Sequence, residues 1–135
     1  MGRGAWDMGN GVQTRSPIKS YRDLEIWQEG VALVQRLYQV TNAFPREEAY
    51  GLSSQMRRAA VSIPSNIAEG HARQHRKEYQ QFLHIALGSI AELETLGVIA
   101  QRVGLINSDC LCKEIEEPAA SIRNKTLALL RRFSE

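Results

Sequence analysis

The stretch from Gly51 to Gly70, GLSSQMRRAAVSIPSNIAEG, constrains the fold more than any other part of the chain. At about 100° per residue, Leu52, Met56, Ala59, Ala60, Ile63 and Ile67 fall on one broad stripe, the period of a helix facing a core. Arg58, Ser62, Ser65 and Glu69 make a second stripe, and Val61, Pro64 and Ala68, edged by Arg57, make a third that is small and mostly apolar. A helix in a lone bundle requires one apolar face. The additional one points to a subunit contact, because an apolar strip on the exterior of a charged protein is unfavourable until something covers it.

Pro64 removes the helical donor to the carbonyl of Ala60 and crowds that carbonyl, so a kink is expected. Ser62, Ser65 and Asn66 stand where they can satisfy the freed backbone groups. The alternative for the same three residues is a ligand or a catalytic step. The structural account is preferred, since mid-helix kinks ordinarily have structural causes.

The flanking segments read as three further helices. SYRDLE offers a cap at Ser20 or Asp23 with carboxylates in the first turn, opening a helix to about Ala43. Leu24, Trp27, Val31, Val34 and Tyr38 recur at spacings of three and four and are read as its inner seam, with Leu33, Leu37 and Val40 as a second apolar line. Phe44-Pro45 ends it, and Pro45 with Glu47 and Glu48 resembles the opening of the central helix, which should stop at Gly70. A third helix runs from about His75 to Val103, with Tyr79, Phe82, Leu83, Ala86, Ile90, Leu93, Gly97, Ala100 and Val103 inside and Gly104 as its stop. Ala86, Gly88 and Ser89 would let a neighbour approach its middle closely. Asn107 or Ser108 caps a fourth helix to about Phe133, with Leu111, Ile115, Ile122, Leu129 and Phe133 inside and Pro118 marking either a kink or a break. Residues 1–18 show no period and read as a mobile tail, leaving residues 19–135 as one domain. With short joins and no alternating strand pattern, the expected architecture is all-α, an antiparallel up-down four-helix bundle.

A chain of 135 residues, 43% hydrophobic, can bury a genuine core. No run approaches the length of apolar sequence that a membrane span requires, and the N-terminus lacks the apolar centre of a secretory signal, so the expectation is a cytoplasmic protein with no membrane partner. Cys110 and Cys112 diverge on a helix and are expected as thiols. Enzyme chemistry finds no pattern. There is no Glu-x-x-His, no glycine-rich phosphate loop and no motif uniting serine, cysteine and histidine, while Glu92 and Glu94 diverge. His71 and His75 have metal-ligand spacing but no third ligand, and a solvated pair is expected; no metal or cofactor is implied.

Charge is distributed unevenly. The net charge is +2, yet residues 51–77 contain five cations and one carboxylate. Arg57, Arg58, Arg73, Arg76 and Lys77, with His71 and His75 nearby, are read as a local basic patch that suits phosphates or, alternatively, simply solvates the helix turn.

The segments SYRDLEIWQ, YGLSSQMRRAAVSIPSNIAEG and KEYQQFLHIALGSIAELET together resemble the bacterial four-helix-bundle family of proteins encoded within intervening sequences of large-subunit ribosomal RNA genes, over residues 20–106. More distantly the chain is similar to the accessory variability determinant of diversity-generating retroelements, a basic bundle that acts with a reverse transcriptase. The resemblance implies a homopentameric ring, no enzymatic activity and a role in binding nucleic acid. Its motif matches Arg57, Arg58, Ser62, Pro64, Asn66, Glu69 and Gly70, then Arg73, Lys77 and Glu78. Relatives have a serine before the lysine-glutamate pair where His75 stands here, which weakens a helix cap.

Two function classes follow. In the first, an oligomeric accessory protein contacts RNA or DNA through Arg57, Arg58, Arg73, Arg76 and Lys77, with Val61, Pro64 and Ala68 at the subunit interface and Ser62, Asn66, Glu69 and Gly70 as structural residues. In the second, a protein-assembly module keeps its arginines at home, with Arg58 bridging Glu69 across helices or subunits. A metal or small-molecule enzyme is the least supported class.

Overall fold

The computed structural model describes residues 17–48 and 51–134. The tail expected over 1–18 therefore lies outside the described residues except for Pro17 and Ile18, and Ile18 packs against the core. Ser20 opens the bundle. Its hydroxyl accepts from the Arg22 N–H at 3.1 Å, while the Asp23 carboxylate accepts from the N–H groups of Lys19 at 2.8 Å and Ser20 at 3.1 Å, a reciprocal box around the 3-10 turn Tyr21–Asp23. Those backbone donors, that of Lys19 first, hold the Asp23 carboxyl below its ordinary range.

Helix α1 (Glu25–Asn42) buries Ile26, Gly30, Leu33, Leu37 and Thr41. The expected inner seam is only partly inside: Leu24 is buried and Trp27 and Val34 pack against the core. Leu33 and Leu37 are the interior, whereas Val31 and Tyr38 are 41% and 42% exposed. The 3-10 turn Arg46–Glu48 leads towards α2 (Leu52–Ala72), whose buried Met56, Ala59, Ala60, Ile63 and Ile67 are the stripe read from the sequence. Helix α2 runs uninterrupted through Pro64, which is buried against Gly30 of α1; a Cβ at Gly30 would stand 3.1 Å from the Pro64 Cβ. Gly70 does not end the helix. It is buried where α3 crosses, and a Cβ there would fall 2.5 Å from the Cβ of Phe82. The chain turns instead at Gln74, in the left-handed region at φ 58°.

Helix α3 (Arg76–Arg102) buries Tyr79, Leu83, Ala86, Ser89, Ile90, Leu93, Leu96, Gly97 and Ala100, while Val103, expected inside, is 64% exposed. His75 stands at its N-cap without a side-chain cap bond. Contrary to the expectation that no run is apolar enough for a membrane span, α3 is long and apolar enough by length and composition, but its buried residues line the bundle interior. It closes at Gly104, φ 88°, where the Leu105 N–H reaches the Ala100 carbonyl at 2.8 Å and the Gly104 N–H the Gln101 carbonyl at 3.1 Å, a Schellman ending. Gly88 has nothing within 4 Å of its would-be Cβ, so it is not the point of close approach.

The fourth helix, α4, spans residues 108–133, capped by Asn107, whose Oδ1 accepts from the Cys110 N–H at 2.7 Å. It begins as Ser108–Cys110, widens to a π-helical turn over Leu111–Glu116 and resumes as Glu117–Phe133. Pro118 does not break the helix; it lies directly after the π-helical turn, in the first turn of the resumed α-helical segment. Neighbouring helices run antiparallel, α1 against α2 and α4, and α3 against α2 and α4. The described residues form an all-α four-helix bundle.

Candidate nucleic-acid interface

An up-down bundle gathers the N-terminal ends of α1 and α3 and the C-terminal ends of α2 and α4 at one end. Arg73, His75, Arg76 and Lys77 come from the α2–α3 turn, and Arg131 and Arg132 from the last turn of α4. Aromatic packing joins them. The Arg76 guanidinium lies over the Phe133 ring at 5.6 Å, Phe133 meets Tyr79 edge-on at 5.6 Å, and Tyr79 meets His71 edge-on at 5.5 Å. Burial pushes the Tyr79 phenol far above its ordinary range.

The charges at this end differ in kind. Arg73 donates to Glu69 at 3.0 Å and Glu78 at 3.4 Å, and these carboxylates, Glu69 first, raise its pKa and offset its charge. Its guanidinium lies over the Phe82 ring at 5.0 Å. Among the described residues, Arg76, Lys77, Arg131 and Arg132 form no ion pair. All four belong to exposed residues, the Arg76 guanidinium lying over Phe133. Arg131 and Arg132 were not singled out from the sequence; the signal for them was their place in the last turn of a helix that an up-down topology returns to the α2–α3 turn.

The structure does not bring Arg57 and Arg58 to this place. Sixteen helical residues separate Arg57 from Arg73, a rise of roughly 24 Å, so the basic patch read from the sequence is two sites at opposite ends. Arg57 is tied into its own subunit: Nε donates to Thr41 Oγ1 at 2.7 Å, Nη2 to Asn42 Oδ1 at 3.0 Å, and the guanidinium lies 4.4 Å from the Tyr38 ring centre. Arg58 lines a groove of ≈ 440 Å³ with Ser54, Gln55, Ser62 and Glu92. Within the chain Glu69 pairs with Arg73 rather than with Arg58.

The remaining motif residues hold the α2–α3 contact. Ser62 Oγ and Ser89 Oγ share a hydrogen bond of 2.7 Å, and Asn66 Nδ2 donates to both the carbonyl and the hydroxyl of Ser62 at 2.8 Å. These groups therefore tie α2 to α3 across the bundle. On the opposite side of α2, Val61, 40% exposed, and Ala68 line an apolar groove of ≈ 300 Å³ with Tyr21, Trp27, Val31 and Val34. Pro64 forms only its floor, because the subunit's own α1 covers it; the strip offered outward comes mainly from Trp27, Val31, Val34 and Val61.

His71, expected in a solvated pair, is 6% exposed and stacked within the core, whereas His75 is exposed. No group of three or more His, Cys, Asp or Glu suited to a metal occurs among the described residues.

Geometry and charge thus define a class: a small four-helix bundle with a basic end and an apolar lateral groove. The chain belongs to the 23S rRNA-intervening sequence protein family, whose model matches residues 22–126. Among solved structures it is similar to a protein of unknown function from the S23 ribosomal protein family of Bacteroides thetaiotaomicron, determined at 1.70 Å. The two share 20% identity with a TM-score of 0.72, over 78% of this chain and 95% of that one, a likeness of fold. No curated protein sequence matches the chain.

Proposed function

We propose that the chain is a non-enzymatic, cytoplasmic bundle protein that assembles with copies of itself and binds RNA or DNA through phosphate contacts at its basic end. The observation that carries this reading is the convergence of Arg76, Lys77, Arg131 and Arg132 from two helices, none paired with a carboxylate among the described residues. Self-assembly rests on the Trp27–Val31–Val34–Val61 groove, an apolar surface that association would cover. A homopentameric ring, the assembly implied by the family resemblance, would multiply a modest site by avidity. The test is fluorescence anisotropy with labelled RNA and DNA of mixed sequence at low salt, alongside the mass in solution. Salt-sensitive binding by an oligomer is expected; no binding at low salt overturns the reading.

A second reading, a protein-assembly module without nucleic acid, is favoured by Arg57 and Arg73, which direct their hydrogen bonds to partners in their own subunit. The two differ in one outcome. Under the first reading, replacing Lys77, Arg131 and Arg132 by alanine weakens the binding of labelled RNA or DNA; under the second, neither the unaltered protein nor this variant binds it at low salt.

A further inference from the structure

Arg73 is unlike its neighbours at the basic end. Two carboxylates hold it, Glu69 at 3.0 Å from its own helix and Glu78 at 3.4 Å from the next, so little charge is left for a phosphate. The same contacts fix where the guanidinium lies, with the Phe82 ring beneath it at 5.0 Å. The side chain is nonetheless 47% exposed. A guanidinium paired with two carboxylates and lying over an aromatic ring is poorly suited to gripping a backbone, whereas its plane is suited to stacking on a flat ligand. The bases of a duplex are already stacked on one another; those of a single strand are free to splay out.

Resting on the nucleic-acid reading above, we infer that Arg73, backed by Phe82, is a base-stacking platform and that the basic end prefers single-stranded nucleic acid over duplex. Arg76, Lys77, Arg131 and Arg132 follow the backbone while one unstacked base lies on the Arg73 plane. This reassigns Arg73 from phosphate contact to recognition of base exposure. It also explains why a cation at the basic end would be neutralised twice over: the carboxylates orient it.

The test compares a labelled single-stranded RNA with the same RNA annealed to its complement, against the unaltered protein, Arg73→Lys and Phe82→Leu. Lysine keeps the charge and loses the plane. The single strand should bind the unaltered protein at least about fivefold more tightly than the duplex, the lower end for one base stacked on a side chain. Arg73→Lys should abolish that preference, and Arg73→Ala should weaken single-strand binding without changing the slope of log affinity against log salt. Phe82→Leu should move in the same direction, and it decides the matter if Arg73→Lys proves unfolded by circular dichroism. Equal affinity for the two forms, or full retention of preference in Arg73→Lys, overturns the inference while leaving phosphate binding intact. Binding to neither form at low salt overturns the underlying reading as well.

Discussion

Two glycines on helices provide opposite tests of the packing. At Gly70 a methyl group would meet the Phe82 Cβ at 2.5 Å, Tyr79 Cδ1 at 3.2 Å and Phe82 Cγ at 3.3 Å. The Phe82 Cβ is one bond from the backbone, so no rotamer change moves it away, and α2 and α3 must separate locally. Overpacking of this kind costs about 1–3 kcal/mol. A contact this short, with an atom this immobile, belongs near the top of that range. The better helix propensity of alanine returns at most about 1 kcal/mol, so Gly70→Ala should lose about 2 kcal/mol. At Gly88, by contrast, nothing lies within 4 Å, and only the propensity gain of about 1 kcal/mol remains. For a chain of this size each kcal/mol moves the melting temperature by roughly 3–5 °C, which gives a fall of about 6–10 °C for Gly70→Ala and a rise of about 3–5 °C for Gly88→Ala. Thermal denaturation followed by circular dichroism at one fixed protein concentration reads both. A Gly70→Ala protein as stable as the original would refute the claim that this glycine exists for close approach.

Other outcomes follow from particular contacts. Arg57→Ala removes hydrogen bonds to Thr41 and Asn42 and the contact with Tyr38, and should cost about 1–3 kcal/mol in denaturant titration. Asn107→Ala removes the cap of α4 and should cost about 1 kcal/mol by the same assay. Asp23 has a pKa below its ordinary 3.8, so its contribution is complete above that value and is lost as pH falls through the lowered pKa. Asp23→Asn should therefore flatten the decline in melting temperature below about pH 4 while lowering it at neutral pH. Val31→Asp with Val61→Asp places charge in the apolar groove and should reduce the solution mass to that of one subunit without unfolding it, as light scattering and circular dichroism would show.

The helices, their capping residues and the core stripe of α2 were legible because periodicity and end signals report local geometry. What periodicity could not decide was which of two adjacent apolar lines on α1 faces inward, since Trp27, Val31, Val34 and Tyr38 repeat as regularly as Ile26, Leu33 and Leu37. Glycine misled in a similar way: Gly70 has the look of a helix stop, but its missing side chain serves a crossing helix, a tertiary fact. Pro118 left a kink or a break open, and the helix continues through it behind a π-helical turn that periodicity does not announce. The basic patch was blurred for a geometrical reason. Residues near one another in sequence lie far apart on a long helix, whereas Arg131 and Arg132 come near the α2–α3 turn only through the fold.

Phosphate is met either at the basic end or at the opposite end of α2. The decisive measurement is the salt dependence of single-stranded RNA binding for the unaltered protein, for Lys77, Arg131 and Arg132 replaced together by alanine, and for Arg58→Ala. The triple replacement should flatten the slope of log affinity against log salt by about 2, and Arg58→Ala should leave it unchanged. An unchanged slope in the triple variant, with a shallower one in Arg58→Ala, would place the phosphate contacts at the other end of α2 and contradict the account.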